Sequence, residues 1–201
     1  MRNGNENSHY SIVAIWLHWI IAVLLIAMMG VGIWMTGAIK AKETQSIAFD
    51  VYQIHKSFGI VILVLSVIRL LWRLSHKAPD MPVSLAKWEK LAAHSTHFIF
   101  YVMMLALPIT GWLMVSASPW GLPTIIFGTA ELPHLSVLSE LDQAGKILWE
   151  ERFKNIHNYM AFGGIGLICL HVSAALKHHF IIRDDSLIRI APFIEKYKAK
   201  D

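Results

Sequence analysis

Four continuous apolar stretches, Ile12–Met35, Val51–Trp72, His94–Val115 and Asn155–Leu176, constrain this chain more than any other feature of it. A helix needs about 20 mostly apolar residues to cross the hydrocarbon core of a bilayer, and each stretch has that length. The runs are continuous, whereas a membrane β-barrel needs alternating segments of about ten residues. The first run is too long for a secretion signal, carries His18 and lacks a small-residue cleavage site near its end, so it is expected to remain as a helix. Composition agrees: 16% of the 201 residues are charged, against about 25% in soluble globular proteins. With 55% hydrophobic residues disorder is excluded, and the single cysteine excludes a disulfide scaffold. The expected fold is an all-α integral membrane four-helix up-down bundle, one domain over residues 1–201, with one long connection at 116–154.

Lys and Arg near the span ends orient such a bundle. One side collects twelve of them: Arg2, Arg69, Arg73, Lys77, Lys87, Lys90, Lys177, Arg183, Arg189, Lys196, Lys198 and Lys200. The other holds six: Lys40, Lys42, Lys56, Lys146, Arg152 and Lys154. Both termini and the Leu74–Ala93 loop are therefore expected in the cytoplasm, and loop 116–154 on the outer side. The basic tail Glu195–Asp201 reads as a solvated end touching anionic lipid, with no aromatic–basic patterning that would point to nucleic acid. In the outer loop, Ser118–Gly128 mixes turn formers with apolar residues and is expected to lie on or dip into the interface. The rest is acidic, with Glu131, Glu140, Asp142, Glu150 and Glu151.

Ionisable groups inside a membrane helix are costly and are functional candidates by default. The spans contain no Asp or Glu, but they hold Lys56, Arg69, Cys169 and the histidines His18, His55, His94, His97, His157 and His171. A proton relay or cation transporter places an acid at mid-depth, and a Mg or Ca site needs oxygen ligands. Imidazole without carboxylate or thiolate partners suits a haem iron held from both faces. There is no Cys-x-x-Cys-His for covalent attachment, so such haems would be b-type.

His157 and His171 are 14 residues apart on the fourth span, about 21 Å along the axis and about 40° around it. They project from nearly one face at two depths. Matched by depth, His55 partners His157 near the outer surface and His18 partners His171 near the inner one. His94 and His97 compete with His18 for the inner position, or bond a propionate, a quinone or water. Lys56, Arg69 and Arg73 are placed to meet propionates, and snorkelling to the headgroups explains the arginines equally well. Gly30, Gly32, Gly59, Gly163, Gly164 and Gly166 lie near these histidines and would leave gaps for a flat porphyrin; ordinary small-residue packing explains any one of them as well.

Leu17-His18-Trp19, His55-Lys56-Ser57-Phe58-Gly59, His94-Ser95-Thr96-His97 before Tyr101, Gly111-Trp112-Leu113-Met114, and His157 with His171 together make a pattern that resembles the bacterial cytochrome b561 family. The resemblance runs from about Tyr10 to Phe180, and His-Lys-x-x-Gly is its most specific part. It implies a multi-pass protein of the bacterial inner membrane with two non-covalent haem b groups that exchanges electrons with quinone. Its axial ligands fall on His18, His55, His157 and His171, the set reached from depth alone. The family includes a superoxide oxidase that delivers electrons to ubiquinone, and related haem-b subunits that link a periplasmic redox partner to quinone.

Superoxide:quinone oxidoreductase is the leading expectation, because two haems reconcile a one-electron donor with a two-electron acceptor. Lys56, Arg152 and Lys154 would draw the anion toward the outer haem. The alternative is an electron-transfer subunit that docks a periplasmic redox protein through the acidic half of the outer loop. A third class, a histidine-based metal transporter or pH-gated membrane protein, would give a colourless preparation.

Overall fold

Ser11 starts the first helix by accepting the Ala14 amide in its hydroxyl oxygen, satisfying one of the amides a helix start leaves unpaired. From there a computed structural model describes residues 10–81 and 85–194. Arg2, His9 and the basic tail Glu195–Asp201 lie outside the described residues. Helix α1 runs Ile12–Ala38, α2 Gln45–Ser75 and α3 Lys87–Ser116. A two-stranded hairpin follows, β1 Thr124–Ile126 and β2 Ala130–Leu132, then the short α4, Ser136–Ser139, and the long α5, Gln143–Lys177. One π-helical turn, His178–Ile182, continues α5. Among the described residues, four helices are long and apolar enough to cross a membrane.

The helices form a ring in which α1 packs along α2, α2 along α3 and α3 along α5, while α1 and α5 meet sparsely. The inward residues Leu17, Ile21, Ile62, Met104 and Leu107 are buried, and Val23, Ile26, Val64, Val102, Phe162 and Leu170 are exposed. An exposed apolar wall of this extent is what a lipid-facing surface requires. Tight connections enforce the up-down order. The Thr44 hydroxyl donates to the Ala38 carbonyl at 2.7 Å, closing the turn between α1 and α2. The Glu89 carboxylate accepts the Ala86 amide at 3.1 Å and opens α3.

Both ends of the described chain meet at one end of the bundle. The Tyr10 amide donates to the Arg189 carbonyl at 3.3 Å, and the Trp19 indole to the Ile190 carbonyl at 2.9 Å. The Phe193 ring rests on Trp19 at 5.6 Å, and Arg189 donates to the Asp80 carbonyl. Residues 183–194 thus form a strap across this end, which we call the terminal end; the other is the hairpin end.

One expectation is corrected. The fourth helix begins at Gln143 rather than Asn155, so the long connection is 117–142. Asp142 caps it by accepting the Gly145 amide at 2.9 Å, and residues 143–154, expected as loop and carrying Glu150 and Glu151, are the first three turns of α5. At about 1.5 Å per residue, the 35 residues of α5 span about 52 Å, well beyond a hydrocarbon core of about 30 Å. The start of the loop forms the hairpin and lies against α2.

Candidate functional site

At the hairpin end, α2 and α5 bring the rings of His55 and His157 opposite each other, with centroids 6.5 Å apart and planes inclined at 69°. His157 is held from α3: its Nδ1 lies 3.0 Å from the Leu107 carbonyl oxygen and 3.1 Å from the Thr110 hydroxyl. A carbonyl only accepts, so Nδ1 carries the proton and Nε2 keeps its lone pair. Gly111, one residue on, leaves room for this ring; a Cβ there would sit 3.5 Å from its Cε1. Gly32 does the same for His55, at 3.4 Å from its Cε1. The Nδ1 of His55 is buried without a hydrogen-bond partner.

The hairpin closes this end by hydrogen bonds to side chains of α2. The Gln53 amide donates to the Pro123 carbonyl at 3.0 Å and accepts the Ile125 amide at 3.2 Å. The Ser57 hydroxyl donates to the Gln53 carbonyl at 2.9 Å and accepts the Phe127 amide at 3.0 Å. Lys56, expected to face an anion, donates to the Pro123 carbonyl at 3.0 Å. Arg152 lies over the Trp149 ring at 5.3 Å.

At the terminal end, His18 of α1 and His171 of α5 face each other with centroids 6.4 Å apart. His97 of α3 is 5.7 Å from His171 and Phe100 is 5.3 Å from it. One guanidinium nitrogen of Arg69 is 3.2 Å from His18 Nδ1, and another donates to the Ala14 carbonyl at 3.5 Å. The arginine therefore turns inward rather than snorkelling. His94 and His97 are exposed on the polypeptide. Between the two pairs lies a layer of Leu25, Met29, Phe100, Met103, Met104, Leu107, Gly164 and Ile168. A Cβ at Gly164 would meet the Met103 and Met29 methyls at 2.6 and 2.8 Å, so that glycine serves methionine packing. Gly30, Gly59, Gly163 and Gly166 have no such neighbour within 4 Å.

Sequence reasoning missed Gln53, Ser57, Leu107 and Thr110. A helical Thr usually returns its hydroxyl to its own backbone, as Thr110 does to Leu107 at 2.8 Å. Nothing in the sequence marks the histidine beyond it.

A multi-pass membrane helix bundle with facing histidine pairs at two depths is the architecture of a membrane cytochrome. The chain belongs to the prokaryotic cytochrome b561 family, whose profile matches residues 9–192. It is 29% identical to cytochrome b561 homolog 2 of Escherichia coli (strain K12) over 188 residues, covering 92% of this chain and 93% of the relative. To the probable superoxide oxidase CybB of Yersinia pestis it is 31% identical over 185 residues, 91% of this chain and 96% of that one. Cytochrome b561 homolog 1 of Escherichia coli (strain K12) is 29% identical over 186 residues, covering 92% and 98%. The protein is thus a multi-pass membrane protein of haem-based electron transport.

The residues at the hairpin end fit a haem b iron as they stand; at the terminal end the Arg69 guanidinium, which only donates, would have to leave His18 Nδ1 to free Nε2 for iron. Two imidazoles bound on opposite sides of one metal, with metal–nitrogen bonds of about 2.0 Å, put their ring centres about 6.3 Å apart. The facing pairs stand at 6.5 and 6.4 Å. His97 stands closer to His171 than such a span allows, at 5.7 Å. The Nδ1 proton of His157, given to a carbonyl, is the support that metal-bound histidines receive from the residues behind them.

Proposed function

We propose that this chain carries two haem b groups and passes electrons between the outer face of the membrane and the quinone pool. His55 and His157 hold one haem at the hairpin end, and His18 and His171 hold the other at the terminal end. The spacing of the two ring pairs carries this reading. When bound, the haems supply one-electron storage at two depths. The chain's residues set the depths, the ligation and the apolar shell between the pairs. The twelve-to-six bias of Lys and Arg supports a cytoplasmic terminal end and a periplasmic hairpin end. Arg69, His94 and His97 serve a propionate or quinone at the cytoplasmic end.

The donor we propose is superoxide and the acceptor ubiquinone: two superoxide anions each give up one electron and leave as O2, and the quinone takes the two electrons with two protons from water to become one quinol. The name of the Yersinia pestis relative supports this choice. The Lys56 ammonium, held beside the outer pair by Pro123, supplies local positive charge for an anion. Rapid mixing of superoxide with the purified, quinone-loaded protein should develop the reduced haem spectrum; an unchanged spectrum would overturn the superoxide step.

A second reading, a relay subunit for a periplasmic redox protein, draws on α5. Its first twelve residues, Gln143–Lys154, extend the helix by about 18 Å and present exposed Ile147 and Leu148 near Glu150 and Glu151. The stretch also carries Lys146, Arg152 and Lys154, so a basic partner would engage the Glu150–Glu151 pair rather than an acidic face. Recovery of a basic haem or dehydrogenase protein with the wild type, lost on reversing the charges of Glu150 and Glu151, would favour it.

A further inference from the structure

The two ligand positions at the hairpin end are supported unequally. His55 Nδ1 is buried with no hydrogen-bond partner. His157 Nδ1 faces both the Leu107 carbonyl and the Thr110 hydroxyl, at 3.0 and 3.1 Å. The Thr110 proton is given to Leu107 at 2.8 Å, so the Thr110 oxygen meets His157 with its lone pairs. Both groups behind His157 are therefore acceptors for one N–H. Gly111 completes the cradle: a Cβ there would already touch the same ring at 3.5 Å, so residues larger than alanine would press on it.

We propose that Thr110 is a positioning residue for the outer haem: its hydroxyl orients His157 and, by drawing on the Nδ1 proton, makes Nε2 a stronger electron donor to iron. A stronger donor favours the oxidised iron and lowers the potential of that centre. A lower outer potential sends electrons on toward the inner centre. This inference rests on the reading of His157 as a haem ligand.

The test is a redox titration of the full chain with both haems followed by absorbance, comparing wild type, Thr110→Val and Thr110→Ser. Valine keeps the shape and loses the hydroxyl; serine keeps the hydroxyl. Thr110→Val is expected to raise the outer potential and leave the inner one in place. Electron sharing then moves toward the outer centre by up to about tenfold, which is about 59 mV for a one-electron couple. Thr110→Ser should titrate like the wild type. Loss of the outer haem from the valine variant alone would also support the role, as failed orientation. Equal potentials in all three, or equal disturbance by valine and serine, would overturn it. His157→Ala measured alongside separates the two claims. If that variant keeps both haems, the ligand reading fails; if it loses the outer haem while Thr110→Val titrates as wild type, only the role of Thr110 fails.

Discussion

The four imidazoles at the centre of the bundle have unequal surroundings, His157 and His18 meeting hydrogen-bonding neighbours and His55 Nδ1 none, and that is where substitutions discriminate. His157→Ala should yield a protein that lacks the outer haem and keeps the inner one, and His171→Ala the reverse, read as the haem-to-protein ratio of each variant. Loss of both haems from either folded variant would contradict the assignment by depth. Gly111→Ala should keep both haems, because a Cβ would meet the His157 ring at an ordinary 3.5 Å. Gly111→Val brings further methyls onto that ring and should lose the outer haem selectively. The histidines were legible in the sequence because imidazoles without nearby acids are rare in apolar helices. Their supports were not, since the Leu107 partner is a backbone carbonyl, which every residue has. Nor could the sequence separate Gly32 and Gly111, which face histidine rings, from Gly164, which faces methionines.

At the scale of elements, the four helices were legible from continuous hydrophobicity, while their ends were not. Helices continue past the apolar run wherever caps and charge spacing allow, as Asp142 does for α5. The hairpin escaped notice because its strands are three residues long and its hold on α2 comes from single side chains. Phe127 adopts φ 46°, a conformation unfavourable for an aromatic residue. The hydrogen bond its amide donates to the Ser57 hydroxyl and its edge contact with Phe58, at 5.3 Å, hold it there. Ser57 is 1% exposed, so Ser57→Ala leaves the Phe127 amide without that acceptor and should cost about 1–3 kcal/mol. Faster proteolysis within 118–132, with the rest of the bundle intact, would register it; wild-type cleavage would contradict the docking.

The strap at the terminal end carries a pH dependence. Burial works against the Asp184 charge, but hydrogen bonds from the Ser186 hydroxyl and amide and from His178 outweigh it and hold the carboxyl below its ordinary range. The His178 contact is 2.7 Å. A depressed carboxyl stabilises the fold fully above its unfolded value of about 3.9, and that contribution is lost as pH falls through the lower folded value. An acid protease should therefore cut residues 183–194 faster as pH drops through that window. Asp184→Asn should remove this part of the pH dependence; an unchanged profile would contradict the assignment.

For the whole molecule, the apolar wall follows from the lipid it faces, and the interior brings imidazoles together at two depths. The ring of helices, the central layer around Met29 and Met103 and the two closed ends serve the same arrangement: four imidazoles in two facing pairs. A reduced-minus-oxidised absorbance spectrum of the purified chain, with haem and polypeptide quantified on one sample, tests this most directly. Two non-covalent b-type haems per chain is the predicted result; a colourless protein, or a single haem per chain, would contradict it.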